Sequence, residues 1–249
     1  MISAVLGSRA AVCSSLSLIH IFKLSGEALK SGSELFDFPM VQHVAQVIRQ
    51  MHELGTEIGI VIGAGNIWRG RQGPSAHMDA VTADQMGMLG TMINCLCVAD
   101  ALRKEGVDAV VMSAVDMDRF AQPFNAMTAR EYLAQGRVVL FGCGSGNPFF
   151  STDTAVALRA IEMQADAILM GKNIDGVYTA DPRTDSSATL IRDLTYAQAL
   201  AQGLKVMDAA AFALCAENHV PMVRVFGLDK PERLLEVLQG SDAGTFVHP

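Results

Sequence analysis

The stretch "RVVLFGCGSGNPFFSTDTAVALRAIEMQADAILMG", Arg137 to Gly171, decides the fold class. "VVLFG" is a short apolar run of strand length. The loop "CGSGNPFFSTD" follows, then "TAVALRAIEMQA" reads as a helix and "DAILMG" as a second buried strand. Two strands joined through one helix form a crossover, which runs them parallel within one sheet.

The same alternation continues outward in both directions. Upstream, "LSLIHIF" (16–22) reads as a buried strand and "KLSGEALKSG" as the loop after it. Asp37 and Pro39 signal a helix start, and Val41, Val44, Val47, Ile48, Met51 and Leu54 follow at helical spacing until Gly55. "EIGIVIG" is the next strand. A long helix over about 82–104 carries Met88, Leu89, Met92, Ile93, Leu96 and Leu102. It ends in Arg103-Lys104 and Gly106, which suits the negative end of a helix dipole. "VDAVVM" reads as a strand and "MTAREYLAQG" as a helix. Downstream come a long irregular loop, the helix "AAAFALCAEN", the strand "MVRVFG", the helix "PERLLEVLQG" and a final short strand "GTFV". The expected fold is α/β, a mainly parallel sheet with helices on both faces, in one domain over 18–249. Residues 1–17, Ser/Ala-rich with a single Arg9, are expected to be a disordered or non-native extension.

Composition narrows the function classes. Net charge is −7, so there is no broad basic field, and nucleic acid is not expected as a partner. No uncharged apolar run approaches the ~20 residues of a membrane span, so no membrane association is expected. The five cysteines are scattered without a C-x-x-C pair, which points to reduced thiols and a cytoplasmic setting. Cys95, Cys97 and Cys215 read as small buried hydrophobes. The six histidines form no ligand-spaced cluster, and no protein-held metal is expected.

Glycine loops repeatedly follow strands, and in parallel sheets ligands gather at the carboxyl ends of strands. "KLSGEAL" offers Lys23 to phosphoryl oxygens, or else holds a solvated lysine. "GAGNIWRG" is neither the dinucleotide fingerprint, since Trp68 follows instead of a third glycine, nor a Walker loop. Its free N–H groups suit an anion nest that Arg69 could close, although a tight turn explains it equally well. "GSGNPFFSTDTA" supplies an open backbone and polar groups, then a helix start whose dipole favours an anion. A structural capping loop with two packed phenylalanines is the alternative. "NIDGVYTADP" holds an Asp175-Gly176 turn with Tyr178 and Asp181, and "GLKVMDAA" puts Asp208 at a helix start. Alone, each reads as an ordinary turn or cap.

The ordered set KLSGEAL, VIGAGNIWRG, DAVTADQMGML, SGNPFFSTDTA, DGVYTADP and GLKVMDAAAFAL closely resembles the bacterial UMP (uridylate) kinases of the amino-acid-kinase superfamily. The likeness runs from about Lys23 to the C-terminus. It implies a three-layer α/β/α sandwich that transfers the ATP γ-phosphoryl group to UMP. Mg²⁺ would be held mainly by the nucleotide phosphates. The family is cytoplasmic and homohexameric, serves pyrimidine nucleotide synthesis, and is activated by GTP and inhibited by UTP.

The same resemblance assigns roles by position. Lys23, Asp153 and Asp208 fall at the catalytic positions, with the two carboxylates near the phosphates where they could orient the lysine. Lys23, Leu24, Ser25, Gly26, Gly65 and Arg69 match contacts to ATP phosphates, while Lys172, Tyr178 and Asp181 fall where the family holds the ATP base and ribose. UMP positions are Ala64, Asp84, Ser145, Gly146, Asn147, Pro148, Phe149, Phe150, Ser151 and Thr152. Three departures stand out: Ala64 replaces a family glycine, Ala80 occupies a position commonly filled by arginine, and Lys172 is spaced differently from Asp175. Another acceptor kinase of the superfamily, a non-catalytic nucleotide-binding or storage protein on this fold, and a dehydrogenase are the competing readings.

Overall fold

The computed structural model describes residues 18–69, 77–204 and 207–249. The expectation for residues 1–17, the end of the "GAGNIWRG" loop and two positions of "GLKVMDAA" lie outside the described residues. The main sheet contains β1 (Ile19–Leu24), β2 (Glu57–Ile62), β3 (Ala109–Ser113), β4 (Gln122–Pro123), β5 (Val138–Gly142) and β6 (Ala167–Lys172). After a small hairpin of β7 (Val177–Tyr178) and β8 (Leu190–Ile191), β9 (Asp193–Thr195), β10 (Val223–Gly227) and β11 (Thr245–His248) complete it. The spatial order is β4-β3-β5-β2-β1-β6-β10-β11-β9. Every pairing is parallel except β10 with β11, so the sheet is mostly parallel, as the crossover reading requires.

Alternation along the strands sorts side chains to two faces. Phe22, Leu24, Ile58, Ile60 and Ile62 point to one core, which α1 (Phe38–Glu53), α2 (Ala80–Lys104) and α7 (Glu232–Leu238) cover. Ile21, Val61, Val139 and Phe141 point to the other. That core is covered by α3 (Ala126–Ala134), α4 (Thr152–Met163), α5 (Tyr196–Ala201) and α6 (Ala209–Glu217). The result is the expected α/β/α sandwich. Each fully buried Ile, Leu or Phe contributes roughly 1.5–3 kcal/mol, so the central strands form a stiff frame for whatever sits at their ends.

Local chemistry sets the helix ends. Asp37 caps α1 by accepting from the Met40 N–H at 3.0 Å, and Gly55 just beyond it has φ +85°. Ser151 caps α4 by accepting from the Asp153 and Thr154 N–H groups at 3.0 and 3.2 Å. By length and composition α2 is apolar enough to cross a membrane, yet half of that window is buried inside the protein, as in a core helix. The segment read as one irregular loop after β6 instead holds β7, β8, β9 and α5.

Candidate functional site

The strands β5, β2, β1 and β6 are neighbours, and their carboxyl ends at Gly142, Ile62, Leu24 and Lys172 share one edge. Lys23 is the penultimate residue of β1 and lies within the strand, not in the loop after it. Alternation places it on the same face as Ile21, toward α4. There its Nζ is 3.8 Å from Asp153 Oδ1, while Lys172 Nζ donates to Asp153 Oδ2 at 2.6 Å. One carboxylate thus holds two ammonium groups. Lys23 is only 9% exposed, and burial pushes its pKa down to about 8; Asp153 pulls it back up and the Lys172 charge lowers it further.

Lys172 reaches this cluster because β6 lies beside β1 in register, with Lys23 opposite Met170. It also borders a cavity of about 810 Å³ with Asp175, Tyr178, Asp181 and Arg183. Asp181 in that cavity wall is gripped by the Arg183 guanidinium at 3.0 and 3.1 Å. Asp208 caps α6 by accepting from Ala211 N–H at 2.8 Å. Its carboxylate also accepts from the Ser151 hydroxyl and from Thr154 Oγ1 at 2.9–3.0 Å, so it holds α4 rather than Lys23 directly. The N-terminal ends of α4 and α6, each a partial positive charge, are therefore tied together beside the lysine pair.

The opposite wall is made by two loops in backbone contact. A Cβ at Gly26 would lie 2.4 Å from the Gly63 carbonyl and from Asn66 Oδ1, and 2.9 Å from Gly65 N, so only glycine fits. Ser25 caps the short 3₁₀ turn after β1, while the Leu24 side chain is buried and presents only backbone to the site. Arg69 donates to Gly65 O at 3.4 Å and pairs with Glu27, which also holds Lys30 at 2.8 Å. Ala64 is packed against α2: its Cβ would be 2.9 Å from a Cβ at Gly90.

The third wall is the loop from Cys143 to Thr152. Ser145 and Asn147 close a tight turn, with Asn147 N–H donating to Ser145 Oγ at 3.2 Å. Gly146 has φ +81°, and a Cβ there would strike the Ala114 carbonyl at 2.8 Å. After Pro148, the Phe149 N–H donates to Asp84 Oδ2 at 2.7 Å. Phe149 and Phe150 are more than half exposed instead of packed. Thr152 Oγ1 lies across from Gly63, 3.7 Å from where a Cβ would be. Asp84 is thereby joined to the loop that the family resemblance groups with it.

Several residues that shape the site were not singled out by sequence. Asn66 and Asn94 exchange amide hydrogen bonds at 3.0 and 2.8 Å, and Asn94 also donates to Gly63 O at 2.7 Å. Thr91 Oγ1 accepts from the Cys143 N–H at 2.9 Å. Asn94 is fully buried, and a polar residue amid "MINCLC" on a core helix was the legible signal. Thr154 and Arg159 gave no comparable cue.

Two glycine loops, two helix N-termini and a lysine pair converge where a parallel sheet opens, which is the arrangement of a phosphate-handling α/β protein. The chain belongs to the amino acid kinase family, whose sequence model matches residues 19–226. Among solved structures it is similar to a UMP kinase from Bacillus anthracis, at 37% identity and TM-score 0.86, over 92% of this chain and 95% of that one. It is similar to a UMP kinase from Ureaplasma parvum at 36% identity and TM-score 0.88, over 94% and 100%. A uridylate kinase from Archaeoglobus fulgidus, at 23% identity and TM-score 0.71 over 92% and 99%, shares the fold.

Proposed function

We propose that this chain is a UMP kinase, which transfers the γ-phosphoryl group of magnesium-bound ATP to a phosphate oxygen of UMP, giving UDP and ADP. The observation that carries the reading is the pair Lys23 and Lys172 on the single carboxylate of Asp153, at the carboxyl ends of β1 and β6. The two solved UMP kinases that share more than 30% identity with this chain support the acceptor.

Phosphoryl transfer asks little covalent help from a protein. A UMP phosphate oxygen bonds to the γ-phosphorus as the bond to the β,γ-bridging oxygen breaks, and that oxygen leaves on ADP. The acceptor is already an anion, so no general base is needed. What the chain supplies is alignment and positive charge. Lys23 and Lys172 neutralise the oxygens of the moving group, and Asp153 holds both ammoniums in place. Asp208 steadies the Ser151–Thr154 turn. Gly65 and Arg69 serve the ATP phosphates, and Tyr178 and Asp181 the base and ribose. Asp84 and the Ser145–Thr152 loop receive UMP.

Among the described residues no group of three His, Cys, Asp or Glu side chains is arranged to hold a metal. Asp153 and Asp208 are already engaged by lysine and hydroxyl donors, which fits a magnesium ion bound to the nucleotide phosphates and water as part of the substrate. In this reading the protein is a cytoplasmic homohexamer, activated by GTP and inhibited by UTP. ADP release measured with UMP, CMP, acetylglutamate and carbamate as acceptors tests the proposal. Turnover of UMP well above the other acceptors is expected. Turnover of another acceptor without UMP would overturn it.

A further inference from the structure

Arg159 lies two turns into α4 and is only 4% exposed. A guanidinium stays charged at any ordinary pH, so burying one is costly unless its surroundings hold it closely. Here they do. Arg159 Nη2 donates to the Gly144 carbonyl at 3.0 Å, and Nη1 pairs with the Glu162 carboxylate. The guanidinium carbon lies 3.8 Å from the centroid of the Phe124 ring, which packs edge-on against Phe141 at 5.8 Å. Nε is buried with no hydrogen-bond partner among the described residues. For filling space alone, leucine or methionine would serve better.

The loop that Arg159 reaches is contorted. Cys143 and Gly144 are consecutive left-handed residues at φ +61° and +58°, and Gly146 and Phe149 follow at +81° and +71°. Two of these four are not glycine, and such a backbone persists only where its surroundings over-determine it. Among the described residues, three side chains from outside grip the loop backbone. Thr91 holds the Cys143 N–H at 2.9 Å, Asp84 holds the Phe149 N–H at 2.7 Å, and Arg159 holds the Gly144 carbonyl between them. Thr91 and Asp84 both come from α2. Of these three, Arg159 ties the loop back to the helix that the loop itself enters through Ser151.

We infer that Arg159 is a positioning residue for acceptor binding: its bond to Gly144 fixes the Cys143–Phe149 loop in the shape that receives UMP. This rests on the UMP-kinase reading for the identity of the acceptor. Arg159 itself stands behind the loop and touches no substrate. Its loss therefore acts on the acceptor side and spares the ATP side, whose loops follow β1 and β2.

The full chain is compared with Arg159→Met and Arg159→Lys in three measurements: KM for UMP and for ATP, amide exchange of Gly146, and thermal melting. Gly146 is a suitable reporter because its N–H closes the turn onto Cys143 O at 2.9 Å. Loss of one charge-assisted bond predicts that Arg159→Met raises KM for UMP about tenfold, with KM for ATP nearly unchanged. Gly146 exchange should quicken, and Arg159→Lys should fall between the two. Equal rises in both KM values, or a lower melting temperature with unchanged Gly146 exchange, would overturn the inference. If Arg159→Met does not fold, the lysine variant decides. A selective rise in KM for UMP at normal melting temperature supports the role, and wild-type behaviour removes it. Should the unaltered chain fail to turn over UMP, the functional reading falls, while Gly146 exchange still tests the pin by itself.

Discussion

Burial takes the Lys23 ammonium out of water, and Asp153 only partly compensates, which leaves its pKa at about 8 against an ordinary 10.5. In the proposed reaction the protonated form is the useful one, because its charge is what would meet the moving phosphoryl group. In the free enzyme that charge is lost as pH rises through about 8. Since kcat/KM reports free-enzyme groups, it should fall above that pH by about tenfold per unit. Initial rates between pH 6.5 and 9.5 check this, and a flat profile would remove Lys23 from the rate-determining charge. Lys23→Met should lower kcat by about 100-fold while KM for UMP changes little. Three residues upstream on the same strand, His20 is also buried, and burial lowers its pKa below 6.5 despite the pull of Asp166. The sign is that of a depressed base. As pH falls through 6.5 the unfolded chain takes up a proton that the folded chain refuses, so stability drops. Melting temperature should therefore fall from pH 7.5 to pH 5.5, and His20→Phe should reduce that fall.

At the scale of elements, α2 and the Gly63–Asn66 loop meet so closely that two residues compete for one methyl group. Ala64 is not among the left-handed non-glycine residues, which among the described residues are Cys143, Phe149, Gln164 and His219. It therefore needs none of glycine's freedom, and Ala64→Gly should leave KM for UMP unchanged. What Ala64 does require is the absence of a Cβ at Gly90, where the two would sit 2.9 Å apart. Gly→Ala inside a helix normally gains about 1 kcal/mol. Here overpacking should turn that into a loss of about 1–3 kcal/mol. Adding Ala64→Gly should restore the gain, giving a coupling of at least about 1 kcal/mol in a double-mutant cycle by urea unfolding. Additive effects would show that the contact is not what keeps Gly90.

The strand–helix alternation was legible because buried strands and core helices carry their period in the residues themselves. β4, β7 and β8 are two residues long and show no period, so nothing in sequence marked them. The short α5 did leave a mark in Thr195 and Gln198, whose reciprocal capping box is observed. In the site, motif residues were legible, whereas Asn94, Thr91 and Arg159 act through contacts between segments far apart in the chain. Such contacts have no local signature. The approach of Lys172 to Asp153 is of the same kind, set by the register of β6 on β1 and not by spacing from Asp175.

For the whole molecule, the informative surface is the outer side of α2. Met92, Cys95, Val98 and Leu102 bury the inner side, while Met86, Leu89 and Ile93 remain 36%, 50% and 48% exposed. Their spacing of three and four places them in one line along the helix, an apolar stripe on a chain of net charge −7. A second copy of this chain would cover that stripe in the proposed homo-oligomer. The same helix carries Asp84 and Thr91, which grip the Cys143–Phe149 loop, and Asn94, which grips Gly63. Contact on the outer side is thus one helix-width from the groups that set the site. Ile93→Glu should place a charge in the contact and shift sedimentation toward smaller species, with the circular dichroism of the folded chain retained. Because Asp84 and Thr91 then sit on a helix no longer backed by a neighbour, KM for UMP should rise more than KM for ATP. Sedimentation of the unaltered chain as a monomer would remove the stripe as an interface, and an assembled Ile93→Glu variant would move the contact elsewhere on the surface.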